Sequence, residues 1–255
     1  MRRTARKRWG QHFLVDTNLL RKLADLIGPS SSDSILEIGP GGGALTEQLA
    51  PRVNDLVGIE IDRDLFNELS SRTDLGNCTF INQDILKVDW SEIEFGTENI
   101  RIVGNLPYNI SSPILFRLVE KQLFWRDCYF MVQKEVAERM AAPFDSKTYG
   151  RLSVNLQARA DIQIIHNVPP EVFVPKPRVE SAVLKMAPTS CEPLSKLESD
   201  VLSRVTRLAF GQRRKMLRNS LAPLKIDSTR FDLSQRPEKL EVAQFVQLAK
   251  WVAAN

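Results

Sequence analysis

The chain has 255 residues, a net charge of +4 at pH 7, and a content of 43% hydrophobic and 26% charged residues. This composition is typical of a soluble globular protein, and the length allows one large α/β domain with a small second domain. The sequence contains no apolar run of about 18 residues, and its three cysteines and two histidines lack ligand spacing, so we expect a cytoplasmic protein without a membrane span, a disulfide framework or a metal site.

Short apolar runs alternate with amphipathic stretches from the first predicted strand to Tyr149. Helical spacing is found at 45–50 and 65–71, between runs that have the length of buried strands. This alternation predicts a mostly parallel sheet with helices on both faces. The predicted strands of this region are 35–38, 56–61, 79–81, 102–103 and 129–132.

The pattern changes after Tyr149. Two further strands, 162–168 and 181–186, are joined by a proline-rich loop at 169–177, which predicts an antiparallel pair at the edge of the sheet. The stretch 188–199 has the composition of a linker, and apolar residues recur with helical spacing from 200 onward. We therefore predict an α/β domain at 1–187, a linker at 188–199 and a small all-helical domain at 200–255.

A glycine-rich turn, Glu37-Ile38-Gly39-Pro40-Gly41-Gly42-Gly43-Ala44, follows the first predicted strand of the sheet. It satisfies the pattern G-x-G-x-x-G/A, and Glu60 ends the second strand about 20 residues later. A dinucleotide-binding fold has the same features. The turn therefore predicts a nucleotide-like cofactor but leaves a nicotinamide enzyme open.

Two carboxylates favour S-adenosylmethionine as the cofactor. Glu37 would repel the pyrophosphate of NAD, whereas S-adenosylmethionine has no phosphate and carries a sulfonium and an amino group. Asp84, just after the third strand, can accept a hydrogen bond from the adenine amino group, while Glu60 binds the ribose hydroxyls. The structural alternatives are a helix cap before Ile85 for Asp84 and an exposed strand end for Glu60.

The tetrad Asn105-Leu106-Pro107-Tyr108 follows the apolar run 100–104. The side-chain carbonyl of the asparagine and the next backbone carbonyl can each accept an N–H from a flat aromatic amine. Pro107 contributes no donor to this corner, and Tyr108 offers a ring on which a base can stack. The alternative is an ordinary turn with a packed tyrosine.

Basic residues form two separate clusters in the sequence. Two such clusters in a modestly basic chain indicate a polyanionic partner, although each alone is compatible with an ordinary solvated surface. The clusters consist of Arg2, Arg3, Arg6, Lys7 and Arg8 at the start of the chain, and of Arg213, Arg214, Lys215 and Arg218 near its end.

Seven motifs in order make the chain similar to the bacterial ribosomal RNA adenine N6,N6-dimethyltransferases, the family whose loss gives kasugamycin resistance. The resemblance spans nearly the whole chain and implies a Rossmann-like S-adenosylmethionine-dependent methyltransferase sheet. The motifs are Gln11-His12-Phe13-Leu14, Glu37-Ile38-Gly39-Pro40-Gly41, Asn105-Leu106-Pro107-Tyr108-Asn109-Ile110-Ser111, Gln133-Lys134-Glu135-Val136, Tyr149-Gly150-Arg151-Leu152-Ser153-Val154, Phe173-Val174-Pro175-Lys176-Pro177-Arg178-Val179-Glu180-Ser181 and Phe210-Gly211-Gln212-Arg213-Arg214-Lys215.

The resemblance assigns a role to each candidate site residue. The family often has asparagine where this chain has His12, but a neutral imidazole can still donate one hydrogen bond and accept another. Tyr108 and Phe173 would sandwich the target base, with a core position as the alternative for Phe173. The implied catalytic residues are Asn105, Leu106, Pro107, Tyr108 and Phe173; the implied cofactor contacts are His12, Leu14, Gly39, Gly41, Glu60, Asp84 and Asn105.

The resemblance also implies the substrate. It predicts dimethylation of two adjacent adenosines in the 3′-terminal hairpin loop of small-subunit (16S) rRNA, within an immature small ribosomal subunit. Independently of the resemblance, we expect a monomer without a metal. A large-subunit rRNA methylase of the macrolide-resistance type and a non-catalytic RNA-binding assembly factor remain alternatives. The helical domain would dock on the ribosome, and the implied RNA contacts are Arg6, Lys7, Arg8, Arg213, Arg214, Lys215 and Arg218.

Overall fold

A seven-stranded sheet forms the centre of the protein in the computed structural model, which describes residues 11–95, 100–120, 125–190 and 192–255. Arg6, Lys7 and Arg8, predicted to bind RNA, lie outside these ranges. Two short strands form a separate sheet. The strands are β1 (Phe13–Leu14), β2 (Ser34–Ile38), β3 (Asp55–Glu60), β4 (Cys78–Asn82), β5 (Ile100–Asn105), β6 (Asp127–Gln133), β7 (Ala160–Val168), β8 (Phe173–Val174) and β9 (Ser181–Pro188).

The central sheet has the strand order β4-β3-β2-β5-β6-β9-β7. The first five strands run parallel, and β9 pairs antiparallel with both β6 and β7. Every residue of β2 is buried, as is typical of a parallel sheet that is covered on both faces. The predicted α/β fold, with a mostly parallel sheet and an antiparallel edge hairpin, is confirmed.

Nine α-helices occur in the described part of the chain, and none of them combines the length and the apolar character needed to span a membrane. They are α1 (Thr17–Ile27), α2 (Thr46–Leu49), α3 (Arg63–Ser70), α4 (Ser111–Glu120), α5 (Lys134–Met140), α6 (Arg151–Gln157), α7 (Lys196–Gly211), α8 (Leu217–Ser220) and α9 (Val242–Ala254).

The C-terminal helices share a core with α6. Val154 of α6 and the fully buried Tyr149 lie in one apolar cluster with Leu202, Val205 and Phe245. Helix α7 begins four residues before the predicted start at 200, because the side chains of Ser195 and Glu198 form a capping box there. The stretch predicted as a linker therefore contains the last residue of β9 and the first turn of α7.

The two-stranded sheet connects the N-terminal segment with the proline-rich loop. Phe13 pairs with Val174 and Leu14 with Phe173, and the N–H of Val15 donates to the carbonyl of Val172 at 2.9 Å. The sequence does not predict this sheet, because a two-residue strand has no measurable periodicity. Its partner lies about 160 residues away, a separation that local patterns do not cover.

Phe173, predicted to stack on the target base, is a core residue in this structure. The side chain is 2% exposed and packs in an apolar cluster with Leu14, Leu19 and Met131. The pairing of β8 with β1 turns the ring into the interior, so that it does not line the cavity described below. The core position, the alternative considered for Phe173, is therefore the observed one.

Candidate active site

A cavity of about 1260 Å³ opens at the carboxyl ends of β2, β3 and β5 and beside the turn after β4. Ligands bind at this edge in open α/β sheets, because the loops that leave parallel strands meet there. Except for Phe173, the candidate catalytic and cofactor residues all line this one cavity. They are His12, Leu14, Gly39, Gly41, Glu60, Asp84, Asn105, Leu106, Pro107 and Tyr108.

The glycine-rich loop brings its backbone to the wall of the cavity. Gly39 has a φ of +67° and its N–H donates to the carbonyl of Ile59 at 2.9 Å. A Cβ added at Gly39 would meet no atom within 4 Å, whereas one at Gly41 would lie 3.2 Å from the ring of Phe13. A ligand can thus approach the backbone at Gly39, while Gly41 allows the N-terminal segment to pack on the loop.

The carboxylate of Glu60 accepts backbone hydrogen bonds from the glycine-rich loop and from the turn after β3. Its Oε2 accepts the N–H of Gly41 and its Oε1 accepts the N–H of Asp62, both at 2.9 Å. Burial raises the pKa of Glu60, although the two backbone hydrogen bonds oppose the shift. The side chain is 3% exposed, so it is not an exposed strand end. Each carboxylate oxygen has further acceptor capacity for a ribose hydroxyl.

Glu37 is a second buried carboxylate in the wall of the cavity. It is 2% exposed, and its Oε2 accepts a hydrogen bond of 2.6 Å from Thr46 Oγ1. Burial raises the pKa of Glu37 to about 7, with a smaller contribution from the charge of Glu60. Near neutral pH, Glu37 therefore repels the pyrophosphate of NAD less than the sequence indicates, because only part of the Glu37 population is then ionised.

Replacing Glu37 by glutamine is expected to stabilise the ligand-free protein above pH 7 and to leave its stability unchanged below pH 4.5. The unfolded carboxyl group ionises near pH 4.5 and the folded one near pH 7, so stability falls as the pH rises through this window. The gain is at most about 3 kcal/mol. Glutamine keeps an acceptor for Thr46.

Urea unfolding across this pH range measures the gain in stability. The control is Glu138→Gln on the exposed face of α5. Equal dependence of stability on pH in both variants would contradict a buried, protonated Glu37.

Asp84 caps the turn that follows β4. Its Oδ1 accepts the N–H of Leu86 at 3.0 Å, and its carbonyl accepts the N–H of Lys87 at 2.8 Å. The alternative role as a helix cap is therefore met only in part, because Asp84 caps a turn at 85–87 and no helix begins at Ile85. Oδ2 has no partner among the described residues, and Asp84 lines the cavity. One oxygen can cap the turn while the other accepts a ligand N–H.

The amide of Asn105 is held in one orientation. Its Nδ2 donates to the backbone carbonyl of His12 at 2.8 Å, so its Oδ1 is available as an acceptor in the cavity. The N–H of Leu106 donates to the carbonyl of Met131 at 3.0 Å, which fixes the backbone that follows β5. No donor among the described residues binds the Leu106 carbonyl. The two acceptors predicted at the start of the tetrad are thus both unused.

The ring of Tyr108 is positioned by two contacts. Its hydroxyl forms a hydrogen bond with Ser181 Oγ at 2.5 Å, and its ring stacks on the imidazole of His12 with a centroid distance of 5.3 Å and an interplanar angle of 24°. Burial raises the pKa of Tyr108, so the hydroxyl stays protonated at neutral pH. One face of the ring is covered by His12.

The side chain of His12, predicted as a cofactor contact, touches the ring of Tyr108 and the proline-rich loop. Its Nδ1 lies 2.7 Å from the carbonyl oxygen of Pro175. Since a carbonyl only accepts, Nδ1 carries the hydrogen and Nε2 of the neutral ring is an acceptor. The sequence predicts His12 only as a cofactor contact and predicts no contact with Tyr108 or Pro175. The structure places His12 there because β1 follows it directly and pairs with β8.

Two further residues of the site, Gln11 and Phe13, have no role that the sequence predicts. Gln11 Nε2 donates to Asp62 Oδ2 at 3.4 Å, and the ring of Phe13 packs on Gly41. Both lie in the motif Gln11-His12-Phe13-Leu14, which was the only available signal. In the structure this segment crosses the cavity from the glycine-rich loop to the proline-rich loop.

The basic residues near the end of the chain lie on the surface, in the segment between α7 and α8 and in α8 itself. Arg213, Arg214, Lys215 and Arg218 are all exposed, and Arg213 Nη2 donates to the carbonyl of Ser146 at 3.2 Å. None of them lines the cavity. In the described residues no group of histidine, cysteine or acidic side chains has the arrangement of a metal site.

Comparison with known proteins identifies related sequences along nearly the whole chain. Residues 2–254 match the family model "Ribosomal RNA adenine dimethylase". A protein of Leptothrix cholodnii named "Ribosomal RNA small subunit methyltransferase A" is 45% identical over 252 residues, which is 97% of this chain and 92% of the relative. One of the same name from Legionella pneumophila is 42% identical and covers 99% of this chain and 100% of its own length.

Solved structures agree with this fold. The dimethyladenosine transferase of Plasmodium falciparum superposes with a TM-score of 0.82 at 26% identity, covering 93% of this chain and 96% of the other. The 23S rRNA methyltransferase ErmE has a TM-score of 0.65 at 21% identity, over 93% and 99% of the two chains. At that identity the second match supports the shared fold alone.

Proposed function

The chain belongs to the ribosomal RNA adenine dimethylase family, and from this premise we propose that it transfers methyl groups from S-adenosylmethionine to N6 of two adjacent adenosines in the 3′-terminal hairpin loop of small-subunit rRNA. The product would be N6,N6-dimethyladenosine. We place the reaction in the cytoplasm, on an immature small ribosomal subunit, with a monomeric enzyme. The observation that carries the proposal is the fixed amide of Asn105 in the cavity.

Hydrogen-bond acceptors in the wall of the cavity match the donor groups of S-adenosylmethionine. Glu60 would bind the ribose hydroxyls while it holds the N–H of Gly41, and the free Oδ2 of Asp84 would accept from the adenine amine. The cofactor supplies a methyl group on a sulfonium. Because the ionised form of Glu37 favours a nearby cation, and burial raises its pKa to about 7, we expect cofactor affinity to rise as the pH increases through this value.

The tetrad acts on the acceptor nitrogen of the target base. The lone pair of an exocyclic adenine amine is delocalised into the ring, which makes the amine a poor nucleophile. Asn105 Oδ1 and the carbonyl of Leu106 would accept its two N–H groups and favour a pyramidal nitrogen. As the C–N bond forms and the sulfur–methyl bond breaks to leave a neutral thioether, positive charge passes to this nitrogen, next to two oriented carbonyl dipoles. The N–H proton is then lost from an acidic ammonium, so no strong base is required.

In the second methyl transfer, only one of the two acceptors receives an N–H. A monomethylated amine has one N–H, so one carbonyl accepts it and the first methyl group lies where the other N–H was. The base would stack on the face of Tyr108 that His12 does not cover. An adenosine in a hairpin loop is easier to unstack into such a cavity than one in a duplex. Dimethylation itself is inferred from family membership.

The basic residues would hold the RNA backbone outside the cavity. Arg213, Arg214, Lys215 and Arg218 are exposed on one short segment, and Arg6, Lys7 and Arg8 of the N-terminal cluster would add phosphate contacts. Binding through such contacts releases counterions, so affinity should fall steeply as salt is raised.

The proposal is tested by transfer of labelled methyl groups from S-adenosylmethionine to unmethylated small ribosomal subunits, with large subunits and duplex DNA as parallel substrates. We expect label only on small subunits, recovered as N6,N6-dimethyladenosine. Label on large subunits would instead support a methylase of the macrolide-resistance type. Cofactor binding without transfer to any substrate would support a non-catalytic RNA-binding assembly factor.

A further inference from the structure

An exposed aromatic side chain belongs to a loop that contacts the basic segment after α7. Phe144 is 48% exposed and belongs to the loop 143–148, which we name the Phe144 loop. Arg213 of the basic segment donates a hydrogen bond of 3.2 Å to the carbonyl of Ser146 in this loop. Phe144 does not line the cavity, so the proposed reaction gives it no role.

The Phe144 loop is held in place by several hydrogen bonds. The N–H of Asp145 donates to the carbonyl of Glu238 at 2.7 Å, and the carboxylate of Asp145 pairs with Lys239 Nζ, also at 2.7 Å. Ser146 Oγ donates to the carbonyl of Pro143 at 2.7 Å. These bonds fix the backbone on both sides of Phe144. The ring is therefore presented to solvent by an ordered loop, which reduces the entropy cost of binding through it.

The Phe144 loop and the basic segment rest on the same part of the core. Tyr149, which follows the loop directly, is fully buried and packs edge-to-face on Phe210 with a centroid distance of 5.9 Å. Phe210 lies three residues before Arg213 in the chain. The two segments therefore form one surface, in which Arg213 is bonded to the loop that carries the exposed ring of Phe144.

The charges of this surface are predominantly positive. Lys147, Arg213, Arg214 and Lys215 are exposed, and the nearby carboxylate of Asp145 is already paired with Lys239. Cations attract a polyanion, but a duplex backbone offers nothing for a phenyl ring to contact. A single-stranded nucleic acid offers both phosphates and the flat faces of bases, and grooves that bind it combine cations with aromatic platforms in this way.

We propose that Phe144 stacks on an unpaired base of the rRNA while Arg213, Arg214 and Lys215 bind the adjoining phosphates. This is a second contact with the RNA, outside the cavity, and it rests on the proposed function. Its role is docking: it raises the affinity for the particle and leaves the chemistry at Asn105 unchanged.

The test compares affinities of full-length variants for unmethylated small ribosomal subunits. Phe144→Ala is expected to weaken binding by roughly 5- to 150-fold, which corresponds to about 1–3 kcal/mol for one stacked base. Phe144→Tyr keeps an aromatic face and should bind like the wild type. Phe144→Leu keeps an apolar side chain without that face and should bind like Phe144→Ala. Leu197→Ala, which truncates another exposed apolar side chain (59% exposed), should leave the affinity unchanged.

The salt dependence separates stacking from charge. Arg214→Ala should reduce the slope of log affinity against log salt by about 1, whereas Phe144→Ala should leave the slope unchanged. The affinity for S-adenosylmethionine should stay the same in every Phe144 variant.

Wild-type affinity for small subunits in Phe144→Ala would overturn the inference. Wild-type affinity in Phe144→Leu would also overturn it. An apolar side chain without an aromatic face would then be sufficient, which indicates a contact with the apolar surface of a ribosomal protein and not with a base. Absence of methyl transfer by the wild-type protein would instead be a failure of the proposed function, so the two failures are distinguishable.

Discussion

Replacing Asn105 by alanine is expected to lower the rate of methyl transfer by about 100- to 1000-fold. The variant loses the acceptor that faces the developing positive charge, and removal of one oriented polar group at a reacting atom commonly has an effect of this size. The bond from Asn105 Nδ2 to the carbonyl of His12 is lost as well. Single-turnover transfer to unmethylated small subunits measures the rate without a contribution from product release.

The control for this prediction is Asn67→Ala on the exposed side of α3, which should have the wild-type rate. Thermal unfolding of both variants distinguishes a loss of chemistry from a loss of folded protein. If Asn105→Ala transfers methyl groups within tenfold of the wild-type rate, the amide is not the main acceptor for the amine. Asn105→Asp should retain part of the rate, because it keeps acceptor oxygens but cannot donate to His12.

The second large effect is expected at the opposite edge of the sheet, where Arg101 is buried. Its side chain is 2% exposed and forms two hydrogen bonds with Asp127, at 2.7 Å and 2.9 Å, and one with Asp33 at 3.2 Å. It also donates to the carbonyls of Ile27 and Gly28 at the end of α1. Arg101→Met is expected to destabilise the protein by about 3–5 kcal/mol, because it leaves a buried aspartate without its cation.

Urea unfolding of Arg101→Met measures this loss. Arg126→Ala is the matched control: this arginine is 53% exposed and contacts Asp33 at 3.2 Å, so its loss should cost about 1 kcal/mol or less. The double variant Arg101→Met/Asp127→Asn removes the orphaned charge and should be more stable than Arg101→Met alone. A double variant no more stable than Arg101→Met would show that lost packing, and not a buried charge, causes the effect.

Much of the fold could be predicted because its strands have clear local signals. The runs 35–38 and 129–132 lie within β2 and β6, whose residues are buried almost throughout, and continuous apolar runs of this length are typical of strands covered on both faces. The hairpin at the edge was also predicted correctly, since the loop at 169–177 is too short for a parallel crossover.

The candidate site could be predicted in part because several of its residues stand at the ends of predicted strands. Gly39, Glu60, Asp84 and Asn105 each follow or end a strand, and the carboxyl ends of parallel strands meet at one edge. Their assembly around one cavity therefore follows from the order of the strands. The contacts of His12 with Tyr108 and Pro175 could not be predicted in this way, because they depend on a pairing between segments far apart in the chain.

The sequence alone determined the fold class, the family resemblance and the residues that surround the cavity, because these depend on residue type, spacing and strand order. Only the tertiary structure decided that Phe173 is a core residue, that burial raises the pKa of Glu37 to about 7 and that Arg213 contacts the loop that carries Phe144. Those properties depend on what packs around each side chain. Burial and neighbouring charge arise when distant segments meet, and a local pattern of residues contains no information about that meeting.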